Sequence, residues 1–214
     1  KYGTFNLHAS LLPNYRGAAP INWAIINGES QTGVTTFYID DKIDTGAMIL
    51  SAEIAIDPDE NAGQLHDRLM VLGSKTVIAT LKLIETGQVN TTIQEEHSEI
   101  KTAYKLDKDN CKIDWSKSGA EIHNQIRGLS PYPVGWCYFK DINQEWNVKI
   151  YESKINVENH NFPIGKILTT KKEIKVAVSD GLLQILSLQL PGKKKMTASE
   201  LLNGMTFSDE ALVL

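Results

Sequence analysis

The sequence predicts an α/β fold in two parts: an α/β domain over residues 1–88, then a small β-barrel domain over residues 108–214. Three observations lead to this prediction. Strand-forming segments alternate with helical patterns up to residue 88, periodicity is lost over residues 89–107, and five short strand patterns separated by turn residues follow. Short strands at such close spacing are typical of an antiparallel barrel, and we interpret residues 89–107 as a linker.

The composition is that of an ordinary globular protein. The chain has 214 residues, 42% of them hydrophobic and 22% charged, and this length can hold two domains. No apolar run approaches the ~18 residues of a membrane span, and the first residues lack the pattern of a secretory signal. Cys111 and Cys137 have no CxxC spacing, so we expect free thiols in a reducing cytoplasm. The net charge of −4 neither favours nor excludes a nucleic-acid partner.

The first predicted strand, which contains Asn6, Leu7 and His8, carries the first candidate functional residues. In an extended strand Asn6 and His8 project from one face, while Leu7 points the other way into a core. A turn with proline and glycine follows, and α/β sheets bind ligands at the carboxyl ends of their strands. The structural alternative is a buried histidine bonded to a neighbouring loop.

An acidic loop carries the next candidate. A helix is predicted over residues 20–28 and strands over 34–39 and 48–56, so that Asp44 lies in the loop between the two strands. Aspartates in such loops are mostly solvated turn residues. One held beside His8 could instead orient the imidazole or accept a proton.

The longest predicted helix covers residues 61–86. Asn61 and Gln64 form a capping box at its start, and Gly87 ends it. His66 lies off the apolar stripe, and we expect it at the surface. The stripe itself predicts these core residues: Leu65, Leu69, Leu72, Val77, Leu81 and Ile84.

The second part is predicted to begin with a short helix that Ser118 and Glu121 cap. The predicted strands cover residues 135–139, 148–155, 164–168, 174–178 and 182–188, and a capped helical turn covers residues 197–204.

At the start of the sequence, a predicted strand follows almost directly after Lys1-Tyr2-Gly3. We therefore expect partner strands upstream in a longer protein.

Several motifs follow one another along the chain: Asn6-Leu7-His8-Ala9-Ser10-Leu11-Leu12-Pro13, Arg16-Gly17, Asp44-Thr45-Gly46, Lys112-Ile113-Asp114-Trp115, Ile126-Arg127 with Pro131 and Pro133, Pro191-Gly192-Lys193-Lys194, and Met196 through Gly204. These motifs resemble those of the folate-dependent formyltransferase family, and those of the second half resemble the branch of the family that acts on methionyl-tRNA. The resemblance implies the carboxyl-terminal part of a Rossmann-like formyltransferase domain, followed by an OB-like, tRNA-binding barrel.

The resemblance also implies a reaction. The α-amine of methionyl-tRNA attacks the formyl group of 10-formyltetrahydrofolate, giving formylmethionyl-tRNA for translation initiation. The family's catalytic residues correspond to Asn6, His8 and Asp44. The co-substrate segment corresponds to Ser10, Leu11, Leu12 and Pro13, and no metal is implied.

The implied partners are the initiator methionyl-tRNA and the folate co-substrate. We expect a monomer in the cytoplasm, without a membrane partner. Candidate tRNA contacts are Lys105, Lys108, Lys193, Lys194 and Lys195, for which the alternative is a solvated basic face.

Three other functions stay open at the level of sequence. Water could replace the amine, making the protein a formyltetrahydrofolate hydrolase, or the acceptor could be an amino sugar carried by a nucleotide. As a fragment without upstream strands, the chain could also bind RNA and catalyse nothing.

Overall fold

The computed structural model describes residues 3–95 and 99–214, which form two compact units, Lys1–Leu106 and Asp107–Leu214. Residues 1–2, at the start of the chain, and residues 96–98, in the predicted linker, lie outside the described residues. None of the helices within the described ranges is long and apolar enough to cross a membrane.

The first unit is built on a three-stranded antiparallel sheet in the order β1-β3-β4. Its register places His8 opposite Thr35 and Asn6 opposite Phe37. The elements of this unit are β1 (Phe5–His8), β2 (Arg16–Gly17), α1 (Pro20–Ile26), β3 (Gln31–Tyr38), β4 (Met48–Ala55), α2 (Ala62–Glu85) and β5 (Thr102–Ala103).

Helix α2 packs its buried face against this sheet. The predicted capping box is present, with the Asn61 side chain accepting from the Gln64 N–H and the Gln64 side chain from the Asn61 N–H. Leu65 and Leu69 lie in the core. An added Cβ at Gly73 would lie 2.7 Å from Leu7 Cδ2, so the helix approaches β1 closely. As predicted, His66 is exposed.

The predicted core stripe is wrong at its carboxyl end, because Leu81 is 43% exposed. The position turned inwards is the adjacent Thr80, which follows the buried Thr76 by one helical turn. The Thr80 hydroxyl shares a hydrogen bond of 2.8 Å with the hydroxyl of Thr36 on β3, which allows a polar residue to occupy the core face.

Part of the segment that we predict as a linker packs against the first unit. Thr92 and Met48 exchange backbone hydrogen bonds, and Gln94 is buried. Strand β5 pairs in parallel with β2, which anchors residues 102–103 as well. Unpatterned sequence therefore does not mean loose structure here, since short bridges and single polar side chains hold this segment.

The second unit is a seven-stranded, nearly closed antiparallel barrel. The order is β12-β6-β7-β10-β9-β8, with β11 on β10, and a bridge from Lys166 to Leu212 brings the last strand back to the first. A strand is present at each of the five predicted places, but the third begins at Ile167 and not at residue 164 as predicted. The elements are α3 (Gly119–Leu129), β6 (Gly135–Asp141), β7 (Gln144–Val157), β8 (Ile167–Thr169), β9 (Ile174–Val178), β10 (Gly181–Gln189), β11 (Met196–Thr197), α4 (Ala198–Leu202) and β12 (Leu212–Val213).

The very short strands β11 and β12 were not predicted, because two residues carry no alternation pattern. The predicted caps are present: Ser118 with Glu121 begins α3, and Thr197 with Glu200 begins α4. Inside the barrel Phe139, Ile150 and Leu183 are fully buried. Local capping signals thus fix the helices, and alternation fixes the longer strands.

Candidate active site

His8 lies at the carboxyl end of β1 with both ring nitrogens facing the protein. The residue is 7% exposed. Its Nε2 is 2.7 Å from the carbonyl oxygen of Tyr15, and its Nδ1 is 3.6 Å from Oδ2 of Asp44. Because a carbonyl oxygen can only accept, Nε2 carries a hydrogen in this contact. Nδ1 is therefore the ring nitrogen that can gain or lose a proton while the contact to Tyr15 is kept.

The turn after β1 returns Tyr15 to the ring of His8. Tyr15 has a φ of +62°, and its buried hydroxyl donates to Oε1 of Glu29 at 2.5 Å. Burial and this hydrogen bond raise the pKa of Tyr15 well above its usual range, so the hydroxyl stays protonated. Lys101 completes the arrangement, because its carbonyl accepts from the Tyr15 N–H and its ammonium group contacts Glu29. These contacts hold Tyr15 in place, so that its carbonyl can accept a hydrogen bond from Nε2 of His8.

Asp44 lies in the loop that joins β3 to β4, residues 39–47, called the Asp44 loop below. Its φ of +55° is in the left-handed region, which costs a non-glycine residue energy. Its Oδ2 accepts the backbone N–H of Gly17 at 2.9 Å and faces His8. The side chain of Asp44 is 15% exposed, so it is neither a solvated turn residue nor sealed from a substrate. The structure thus brings the predicted residues Asp44 and His8 together.

Asn6 lies on the same face of β1 as His8, and it is exposed. Its side-chain oxygen accepts the backbone N–H of Leu7 at 2.9 Å, which leaves the NH₂ group as the part that can donate to a substrate. Leu7 packs against the core of the unit, as the alternation predicts. An exposed amide donor therefore lies two residues from the His8–Asp44 pair.

The predicted co-substrate segment forms a turn that is bonded internally. Ser10 is fully buried, and its hydroxyl donates to the carbonyl of Asn14 at 2.7 Å, which holds the turn together. The Leu12 N–H donates to the hydroxyl of Thr35, which itself donates to the Ser10 carbonyl. Leu11 and Pro13 keep partly exposed apolar surfaces. The segment suits contact with an aromatic ring system, and Leu12 supports it from the core.

Sequence reasoning missed the side chain that holds the Asp44 loop. Gln94 donates to the backbone carbonyls of Asp44 and Gly46 and accepts from Arg16. It stands in a stretch without periodicity, so no local signal identifies it. Within the described residues, no group of three or more histidine, cysteine, aspartate or glutamate side chains could hold a metal ion.

The predicted tRNA-contact lysines do not form one equivalent set. Lys105 belongs to the first unit, and the other four belong to the second. Lys108 Nζ lies 5.4 Å from the ring centroid of Trp136. Lys195 Nζ pairs with Glu152 at 2.8 Å, whereas Lys193 and Lys194 are exposed in the turn after β10.

Comparisons with known proteins identify the family to which this fold belongs. A family profile described as "Formyl transferase" matches residues 1–81, and one described as "Formyl transferase, C-terminal domain" matches residues 105–206. A Helicobacter canadensis N-formyltransferase, solved with folinic acid and dTDP-3-aminofucose, has 26% identity and a TM-score of 0.67; the match covers 90% of this chain and 66% of that one.

Two curated relatives are much more similar in sequence. Methionyl-tRNA formyltransferases of Flavobacterium johnsoniae and Flavobacterium psychrophilum are 72% and 67% identical to this chain over 211 residues. Each match covers 99% of this chain and 67% of the relative, so the chain spans about two thirds of their length. These matches confirm the resemblance and the fold class that the motifs predict: the chain belongs to the formyl transferase family.

Proposed function

We propose that this protein transfers the formyl group of 10-formyltetrahydrofolate to the α-amine of methionyl-tRNA, giving formylmethionyl-tRNA for translation initiation. The observation that carries the proposal is the 72% identity, over almost the whole chain, to a relative named methionyl-tRNA formyltransferase. The site supports it chemically, since an exposed amide donor lies near a histidine–aspartate pair at a strand end.

Each residue of the proposed catalytic trio has a distinct task. As the amine nitrogen bonds to the formyl carbon, the carbonyl π electrons move to oxygen, and Asn6 donates a hydrogen bond to this oxyanion. Losing one such donor typically costs ~100–1000-fold in rate. The oxyanion then reforms the C=O bond, the bond from carbon to N10 of the folate breaks, and N10 takes up one proton, which balances the proton that the amine loses.

The proton chemistry is assigned to Asp44 and His8. The attacking amine becomes an ammonium group that must lose a proton, and the Asp44 carboxylate accepts it. Nδ1 of His8 is the second group that can take this proton, because Nε2 is engaged with the Tyr15 carbonyl. The distance of 3.6 Å between Nδ1 and Oδ2 is longer than a hydrogen bond, which leaves space for a substrate group or a water to exchange protons with either. No side-chain nucleophile is required, because the amine is itself nucleophilic.

We assign co-substrate contact to the segment Ser10–Pro13. The H. canadensis protein was solved with folinic acid, a folate derivative. In this chain Leu11 and Pro13 offer the partly exposed apolar surface that a folate ring can contact, and Ser10 and Leu12 keep the turn in place.

We assign tRNA contact first to Lys193 and Lys194, because these exposed side chains can approach phosphates without breaking an ion pair. Lys105, Lys108 and Lys195 are the further candidates. We further propose that the protein acts as a monomer in the cytoplasm.

A sugar-nucleotide formyltransferase is the second candidate, because the H. canadensis protein was solved with an amino sugar nucleotide. The deciding experiment offers three acceptors in parallel: methionyl-tRNA, a dTDP-amino sugar and water. We expect formyl transfer to methionyl-tRNA alone. Folate release at the same rate with and without methionyl-tRNA would contradict the proposal and favour hydrolysis.

A folate titration tests the alternative function, in which this chain binds RNA and catalyses nothing. The chain is compared with a form extended at its amino terminus to the length of the relatives. Weak folate binding by the chain and tight binding by the extended form would mean that the pocket needs upstream residues. Equal, tight binding would show that the chain contains the folate site.

A further inference from the structure

Gln94 is a buried residue whose side chain holds the Asp44 loop, although no sequence pattern around it predicts such a role. It lies beyond α2, and the backbone exchange between Thr92 and Met48 fixes the chain two residues before it. The residue is 6% exposed. A glutamine has two donor hydrogens and one acceptor oxygen, and burying these groups unsatisfied is costly, so the partners define its role.

All these groups are used, and they join two parts of the active site. Nε2 donates to the carbonyl of Asp44 at 2.9 Å and to that of Gly46 at 2.8 Å. Oε1 accepts from Nε and Nη2 of Arg16 at 3.0 and 2.8 Å. The orientation of the amide is unambiguous, because two carbonyls need the nitrogen and a guanidinium needs the oxygen.

The two parts are the ones that position the Asp44 carboxylate. Asp44 has a left-handed φ, and Gln94 holds its carbonyl and the carbonyl two residues later. Arg16 directly precedes Gly17, whose N–H binds Oδ2 of Asp44 at 2.9 Å. One buried amide therefore ties the loop that carries the carboxylate to the strand that supplies its backbone donor.

We propose that Gln94 is a positioning residue of the active site, which holds the Asp44 loop against β2 so that the Asp44 carboxylate faces Nδ1 of His8. Gln94 acts through Asp44 and has no contact with the reacting atoms in this role. The proposal rests on the proposed function for the catalytic part of Asp44. Its geometric part, the holding of the loop, is independent of that function.

Two variants separate the contacts of Gln94. Gln94→Glu keeps an acceptor for Arg16 but turns carboxylate oxygens towards two carbonyls, and Gln94→Leu removes all hydrogen bonds at similar volume. The matched control is Glu60→Gln, an isosteric change in the same unit. Glu60 is 7% exposed, pairs with Arg68 at 2.7 Å and lies outside the hydrogen bonds of Asp44.

Hydrogen–deuterium exchange of residues 39–47 is the first measurement, made on this chain. We expect exchange in the Asp44 loop to become at least ~10-fold faster in both Gln94 variants, because they lose the two donors that hold its carbonyls. Glu60→Gln should leave the loop unchanged. Exchange in Gln94→Glu at the wild-type rate would overturn the proposal, whatever the activity.

Steady-state kinetics is the second measurement, made on a form that transfers formyl groups to methionyl-tRNA. Misplacing a catalytic group by ~1 Å can cost ~100-fold, so we expect kcat to fall by ~10–100-fold in both Gln94 variants. The KM values for both substrates should stay within ~2-fold. Glu60→Gln should keep kcat within ~2-fold, and an equal loss of kcat in this control would overturn the positioning role.

The two measurements also distinguish the ways of failing. Absence of transfer by the wild-type enzyme would contradict the proposed function, while loop exchange would still decide whether Gln94 holds Asp44. If kcat fell only in Gln94→Leu, the contact with Arg16, and not the contacts with the Asp44 loop, would support catalysis. This result would overturn the proposal as well.

Discussion

Substitution of the trio is the sharpest test at the scale of single residues. We expect Asn6→Ala, His8→Ala and Asp44→Ala each to lower kcat by at least ~100-fold, because each removes an oxyanion donor or a proton-exchanging group. Initial rates of formylmethionyl-tRNA formation measure the effect, and circular dichroism checks the fold.

His66→Ala is the matched control for the trio. Its side chain is 61% exposed on α2, and its partner is the neighbouring Asp67, so activity should not change. A trio variant with near-normal turnover would remove that residue from the mechanism.

The reactivity of the two cysteines is a second test at this scale. The proposed chemistry needs no thiol, so we expect both thiols to be unreactive in the folded protein. Burial raises the pKa of Cys137 to about 12, and burial also raises that of Cys111. The thiolate is the reactive form, so in the folded protein at pH 8 we expect a thiol reagent to modify Cys137 at the rate of unfolding. Rapid labelling of Cys137 in the native protein would contradict this expectation, and labelling in denaturant is the positive control.

At the scale of elements, the Asp44 loop depends on Gly46, because any other residue at this position would force the neighbouring backbone to move. An added Cβ at Gly46 would lie 1.6 Å from the carbonyl oxygen of Tyr38 at the end of β3. Gly46→Ala should lower the free energy of unfolding by about 2 kcal/mol or more, because the strand end must move. It should also lower kcat, since Gln94 binds the Gly46 carbonyl. Chemical denaturation and kinetics measure the two effects.

Gly204→Ala is the control for this glycine effect. An added Cβ at Gly204 would meet nothing within 4 Å, so we expect its unfolding free energy to stay within about 0.5 kcal/mol of the wild type. Comparable losses at both glycines would show that close approach to Tyr38 is not the cause.

At the scale of the whole molecule, binding of methionyl-tRNA should depend on salt. Each lysine that contacts a phosphate releases counterions, so Lys193→Ala and Lys194→Ala should each reduce the slope of log affinity against log salt by about 0.7–1. Filter-binding titrations over a salt series measure this slope. Lys195→Ala should have a smaller effect, because Glu152 already neutralises Lys195.

Lys171→Ala is the matched control in the same unit, an exposed lysine in the turn between β8 and β9. We expect an unchanged slope. Equal slopes for the wild type and all four variants would exclude the turn after β10 as the phosphate-contact surface.

Sequence alone determined what depends on neighbouring residues. The capping boxes of α2, α3 and α4, the alternation in β1 and the turn residues between barrel strands act over a few positions, and the structure has these features as predicted. The motifs that indicate the family are also short stretches of neighbouring residues, so the sequence alone was enough to identify it. Helical periodicity failed where adjacent residues compete for the core, as Thr80 and Leu81 do at the end of α2.

Tertiary structure decided what depends on residues far apart in the chain. The register of β1 on β3, the close approach of Gly17 to Asp44, and the reach of Gln94 to a loop 50 positions away follow from packing and from the need to satisfy buried polar groups. No local pattern encodes such contacts. The sequence therefore determined which residues carry the candidate chemistry, and the fold decided which nitrogen of His8 faces Asp44 and which amide holds Asp44 there.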